Sequence, residues 1–121
     1  MPRFVVLLHV TPPGFARPTH YDFMLERDGI MRTWVLPIEP LPGVLQIAQQ
    51  IHDHRLDYFD FEGEIAGNKG HATRWDRGDY ATLSESETEL VVQLAGGALS
   101  GIVKLTRLHD TSPQWEFRLQ S

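Results

Sequence analysis

A chain of 121 residues, 41% hydrophobic and 22% charged, suits a single globular domain spanning 1–121. It has no cysteine, which excludes a disulfide framework and any thiolate metal centre and fits a reducing cytoplasm. The net charge of −5 weighs against indiscriminate polyanion binding but leaves a local basic patch open. No apolar run approaches the ~20 residues that cross a bilayer, so no membrane association is expected.

In chain order, Phe4–His9 is apolar and reads as a strand. It is too short for the core of a secretion signal, and His9 interrupts it. Residues Thr11–Thr19 contain Pro12, Pro13, Gly14 and Pro18, so they must loop. His20–Glu26 and Ile30–Leu36 flank Arg27-Asp28-Gly29, a strong hairpin signal. Val44–Ile51 has the stripe of a helix, yet the His-Asp-His that follows suggests extended chain, and the pattern leaves both open. Gly70–Trp75 and Asp79–Leu83 flank Asp76-Arg77-Gly78, which predicts a second hairpin.

Three further strands are predicted at Glu89–Leu94, Leu99–Leu105 and Trp115–Leu119, separated by Gly96-Gly97 and by Asp110–Pro113. In the last, Trp115, Phe117 and Leu119 alternate with polar residues, the pattern of a half-buried strand. The fold class is therefore mainly β, as an antiparallel barrel or sandwich.

The chemistry-bearing residues fall into a few groups. In a strand, His20 and Asp22 project to one face, and His9 ends the strand before them. Two nitrogens and one carboxylate oxygen suit Mn, Fe or Zn; a packed His9 and a surface His20–Asp22 pair are the plainer alternative. His52 and His54 repeat the spacing, with Asp57 and Tyr58 close behind. An imidazole, with a pKa of ~6.5, can serve as a general acid or as a charged donor to phosphate, and Tyr58 can hydrogen-bond a phosphoryl oxygen; a polar turn is the alternative here. Arg77, in Trp75-Asp76-Arg77-Gly78, either grips a phosphate with its planar fork or belongs to a simple turn. His71 and His109 have no partners in sequence. Phosphate-binding glycine loops and the G-x-S-x-G nucleophile motif are missing, so neither a Rossmann domain nor a serine hydrolase is supported.

Taken together and in order, these segments resemble the 3′-phosphoesterase domain of bacterial DNA ligase D and its stand-alone relatives. The resemblance runs through Phe4-Val5-Val6-Leu7-Leu8-His9, His20-Tyr21-Asp22-Phe23-Met24-Leu25-Glu26, Asp28-Gly29 and Trp34-Val35-Leu36-Pro37. Its tightest part is Asp53-His54-Arg55-Leu56-Asp57-Tyr58-Phe59-Asp60-Phe61-Glu62-Gly63, followed by Trp75-Asp76-Arg77-Gly78. It implies a compact closed or nearly closed antiparallel β-barrel with short helical segments, and a strand near residues 46–53. It also implies a manganese site at His9, His20 and Asp22, with Zn2+ or another divalent ion as the alternative, inside the barrel. His54 and Tyr58 would be the catalytic phosphate contacts. The implied reaction removes a 3′-ribonucleoside and then a 3′-phosphate from nucleic-acid ends (DNA or RNA-terminated DNA), in DNA repair, with a ligase or other end-joining proteins as partners. Asp57 would tune His54.

The chain also departs from that family. Its usual His-Tyr-Asp-Phe-Arg has Met24 in place of arginine, and Ile38-Glu39 stands where a lysine usually follows the Trp-Val-Leu-Pro segment. The loop between His9 and His20 is longer, and its Arg17 is a candidate replacement for the lost arginine, with Arg77 as a second candidate phosphate contact. Glu64–Thr73 is shortened. Two alternatives to an active 3′-phosphoesterase therefore stay open: a weak or inactive relative that binds DNA ends or a repair partner, and a hydrolase of small phosphoesters.

Overall fold

Alternation of apolar side chains along almost every strand decides the architecture of the computed structural model, which describes residues 2–121. The strands are β1 (Arg3–Val10), β2 (His20–Arg27), β3 (Ile30–Leu36), β4 (Leu45–Arg55), β5 (Gly63–Glu64), β6 (His71–Glu85), β7 (Glu89–Gly96), β8 (Ser100–Arg107) and β9 (Gln114–Gln120). Their order in the sheet is β1-β2-β3-β4-β9-β8-β7-β6-β5, and β1 also pairs with β6. That second pairing closes an eight-stranded antiparallel barrel and leaves two-residue β5 as a flap on the start of β6. Among the described residues the one helical element is a five-residue 3-10 helix, Leu56–Asp60, and no helix there is long and apolar enough to cross a membrane.

All eight barrel strands fill the interior. Phe4, Phe23, Leu25, Trp34, Leu36, Val92, Val103, Leu105, Phe117 and Leu119 are among its buried residues. Phe23 meets Phe117 edge-on at 5.3 Å between centroids, and Trp34 meets Trp115 at 5.9 Å. Each fully buried side chain of this size contributes roughly 1.5–3 kcal/mol. A second, smaller cluster contains Val5, Leu7, Met24, Met31, Phe59 and Ala72. On β1, β2 and β3 these residues alternate with the interior ones, so they stand on the outside of the barrel wall. Leu56, Tyr58, Phe61 and Ile65, from the segment after β4, fold over them.

The Asp28-Gly29 hairpin forms as expected, with φ of 50° and 85° at the two residues, the left-handed pair such a tight turn requires. The open question at residues 44–51 resolves as strand. Ala48 faces inward at 0% exposure, whereas Leu45 and Ile47 are 45% and 43% exposed. The apparent helical stripe mixes inward Ala48 with Leu45 and Ile47, which point outward.

The hairpin predicted at Asp76-Arg77-Gly78 is absent, because β6 runs unbroken through it. Pairing with β1 jumps from Leu7↔Arg74 to Val6↔Asp76, so Trp75 is the extra residue of a bulge. Asp76 does bond backbone, but that of another turn. Its carboxylate accepts the N–H groups of Gly97, Ala98 and Leu99 at 3.0, 3.1 and 2.7 Å, tying the β7–β8 connection to the seam where the barrel closes. Gly96 is required there, since a Cβ would lie 2.6 Å from both Asp76 Oδ2 and Phe4 Cζ. Replacing Asp76 with alanine strands three donors, and we expect a loss of about 3 kcal/mol in urea unfolding. A loss below about 1 kcal/mol would show that water satisfies the turn instead.

Candidate metal and phosphate site

The β1–β2 register sets His9 opposite His20 and Leu7 opposite Asp22, all on the outer face of the wall. This corrects the expectation of a cation inside the barrel, whose interior is filled with apolar side chains. Each histidine is oriented through its far nitrogen. His20 Nδ1–H donates to the Pro18 carbonyl at 2.8 Å, and His9 Nε2–H donates to the Lys69 carbonyl at 2.7 Å. The carbonyls can only accept, so in the neutral rings that metal ligation requires the protons sit there. His20 Nε2 and His9 Nδ1 are left as bare lone pairs, 3.2 and 3.8 Å from the Asp22 carboxylate oxygens.

Asp22 is 7% exposed, and its Oδ1 is buried without a hydrogen-bond partner. A carboxylate oxygen held out of water beside two imidazole nitrogens needs positive charge among them, supplied by a bound cation or by ring protons. One ligand atom from each of the three residues lies within 4.8 Å of the others. The donor set therefore fits a divalent ion. Imidazole and carboxylate together do not distinguish Mn from Zn.

Across the same cleft stands His54, at the end of β4. Its Nδ1 lies 2.9 Å from Thr33 Oγ1 and 3.1 Å from the His52 carbonyl. Thr33 gives its own hydroxyl proton to the Met31 carbonyl. Its oxygen is thus an acceptor, which puts the His54 proton on Nδ1 and frees Nε2. The His54 ring stacks on His52 and meets Tyr58 edge-on at 4.8 Å. Burial holds the His54 pKa below the ordinary histidine value, outweighing the attraction of Asp22, and neighbouring His52 lowers it further.

His9, His20, Asp22, His54, Tyr58 and Arg17 thus line one cleft of about 250 Å³. Arg77 is placed elsewhere. It donates to Asp60 at 2.7 Å and lies over the Phe59 ring. Asp57 pairs with Arg55 rather than with His54. Met24 is fully buried in the outer apolar cluster, alongside Leu7 and Ala72, which also line the cleft. Thr33 and Lys69 were not singled out in the sequence. Thr33 reaches His54 through a register shift between β3 and β4, which no spacing rule reveals.

A model of the DNA ligase D 3′-phosphoesterase domain matches residues 14–120. The chain belongs to that family. The LigD 3′-phosphoesterase match begins after His9, so the position of His9 beside the other two donors rests on the fold. Among LigD relatives, the multifunctional non-homologous end joining protein of Pseudomonas aeruginosa is 39% identical over 83% of this chain. The Mycobacterium tuberculosis DNA repair protein is 38% identical over 76%, and the Mycolicibacterium smegmatis protein 30% identical over 82%. The aligned region is 13–14% of those LigD proteins' own length.

Two measurements probe this LigD-like site. Saturating Mn should raise the melting temperature, by about 2.7 kcal/mol of stabilisation at a hundredfold excess over Kd. Asp22→Ala should abolish the rise; an unchanged rise would place the ion elsewhere. In an NMR titration, His54 should have a midpoint below ~6.5. The depressed folded pKa means that the unfolded chain binds more protons. This contribution to stability is present above ~6.5 and is lost as pH falls toward the folded value.

Proposed function

We propose that this protein is a divalent-metal-dependent phosphoesterase that trims 3′ ends of nucleic acid in end-joining DNA repair. The observation that carries the reading is the meeting in one cleft of His54 and Tyr58 with a His9–His20–Asp22 cluster, in which His20 and Asp22 are buried and His9 is half-buried. Membership of the LigD 3′-phosphoesterase family supports it. The names of the relatives, which describe non-homologous end joining, support DNA ends as substrate and ligase or end-joining proteins as partners. We place the protein in the cytoplasm on the same grounds.

His9, His20 and Asp22 would hold the ion, manganese in our reading, which when bound neutralises phosphate charge and polarises the ester. The chain's own groups do the rest. His54, kept in one orientation by Thr33 and the His52 carbonyl, presents Nε2 to the cleft. Neutral in the free protein, it gains a proton as an anionic phosphate raises its pKa, and then donates to a phosphoryl oxygen or to the leaving oxygen. Tyr58, packed edge-on against His54, orients the phosphate. Arg17 lines the same cleft and contributes a guanidinium from the loop.

The test is release of phosphate from a 3′-phosphorylated primer-template with Mn. We expect turnover that is lost in His20→Ala and falls by 10²–10⁴-fold, a general-acid-sized effect, in His54→Ala. Folded protein that is silent with every divalent metal would refute the enzyme. A second reading, end binding without hydrolysis, is favoured by Met24, whose apolar burial leaves no charged group at that point of the wall. It predicts retention of 3′-phosphorylated DNA without product.

A further inference from the structure

Of the eleven Lys and Arg side chains, seven pair with carboxylates, namely Arg3, Arg27, Arg32, Arg55, Arg74, Arg77 and Lys104. Arg107 lies over the Trp115 ring and donates to a backbone carbonyl. Arg118 lines a separate shallow groove with Glu116. The other two, Arg17 and Lys69, line the cleft that holds the metal donors. Neither has a carboxylate within ion-pair distance among the described residues. In a protein of net charge −5, leaving these two cations uncommitted at one cleft marks it for an anion.

The loop that bears Lys69 is held in place. The Ile65 N–H donates to the Gly70 carbonyl at 2.9 Å, closing residues 65–70. Gly67, Asn68 and Gly70 all take left-handed φ values. Gly70 presses so closely on β1 that a Cβ would overlap the Val10 carbonyl oxygen. The Lys69 carbonyl accepts the proton of His9, one of the three metal donors. Lys69 therefore starts one hydrogen bond away from the candidate cation. His9 also meets the other loop, its ring 6.3 Å from that of Phe15, two residues before Arg17.

We propose that Lys69 and Arg17, arriving on two separate loops, form the phosphate clamp of this cleft and select a terminal phosphate monoester. Both side chains line the cleft together with apolar Leu7 and Ala72, which share a buried cluster with Met24. Two cations besides the metal match a monoester dianion better than the single charge of an internal diester. This rests on the phosphoesterase reading and adds its substrate class.

The test uses the full chain loaded with Mn, with inorganic phosphate as the binding probe and two substrates, a 3′-phosphate end and a 3′-ribonucleoside end. We expect Lys69→Met and Arg17→Met each to weaken phosphate binding by about tenfold, a charge-assisted hydrogen bond's worth. KM for the 3′-phosphate end should rise by a similar factor and rise less for the diester, with Mn affinity unchanged. Lys69→Arg should restore binding. Lys69 is exposed, so its variants should fold. Unchanged phosphate affinity and KM in Lys69→Met, with wild-type turnover intact, would overturn the clamp and leave the phosphoesterase standing. A wild-type protein that binds Mn but neither binds phosphate nor turns over would overturn both.

Discussion

The pairing of β1 with β2 is the constraint on which the candidate site depends. It sets His9 beside His20 and Leu7 beside Asp22 while Phe4, Val6, Phe23 and Leu25 point into the barrel. A strand has only two faces, so slipping β1 by one residue would carry its imidazole into the interior and its apolar side chains out. The packed interior resists such a slip, because its close-packed side chains would lose their fit and His9 would enter an apolar core without a partner. The donors are thus held by a core that they do not enter.

The outer face is protected in a different way. Wall residues Val5, Leu7, Met24 and Met31 would be exposed apolar surface if nothing covered them. The 3-10 helix and the residues after it, with Leu56, Phe59, Phe61 and Ile65, supply the cover and deliver Tyr58 to the rim. Arg3 and Arg77 each lie over the Phe59 ring, and their partners Glu26 and Asp60 keep them there. Arg77 thus acts as a fastener of the cover. A tetrad that reads as a phosphate-gripping turn is here a strand, with Asp76 bonded to one side of the seam and Arg77 to the other.

Much of this was legible in the residues. Alternation at Trp115, Phe117 and Leu119 and the Asp28-Gly29 signal announced antiparallel strands, and the family motifs brought the donors together on paper. Three things were hidden. The face of the barrel that carries the site depends on which set of alternating residues closes on itself, and in β1 both sets hold apolar residues, Phe4 and Val6 in one and Val5 and Leu7 in the other. The bulge at Trp75 let Asp76 and Gly78 imitate a turn, because the residues that suit turns also suit a carboxylate that binds backbone and a close strand crossing. The Thr33–His54 contact depends on a register shift, and shifts follow from the whole sheet rather than from neighbours in sequence.

The hydrogen bond from His20 to the Pro18 carbonyl has a wider meaning. It fixes the ring of that donor from only two residues away, so the donor's aim does not depend on the rest of residues 11–17. An insertion in that stretch alters what hovers over the cleft without disturbing the bed beneath it. This connection can therefore be lengthened, trimmed or recharged at little structural cost to the donors beneath it.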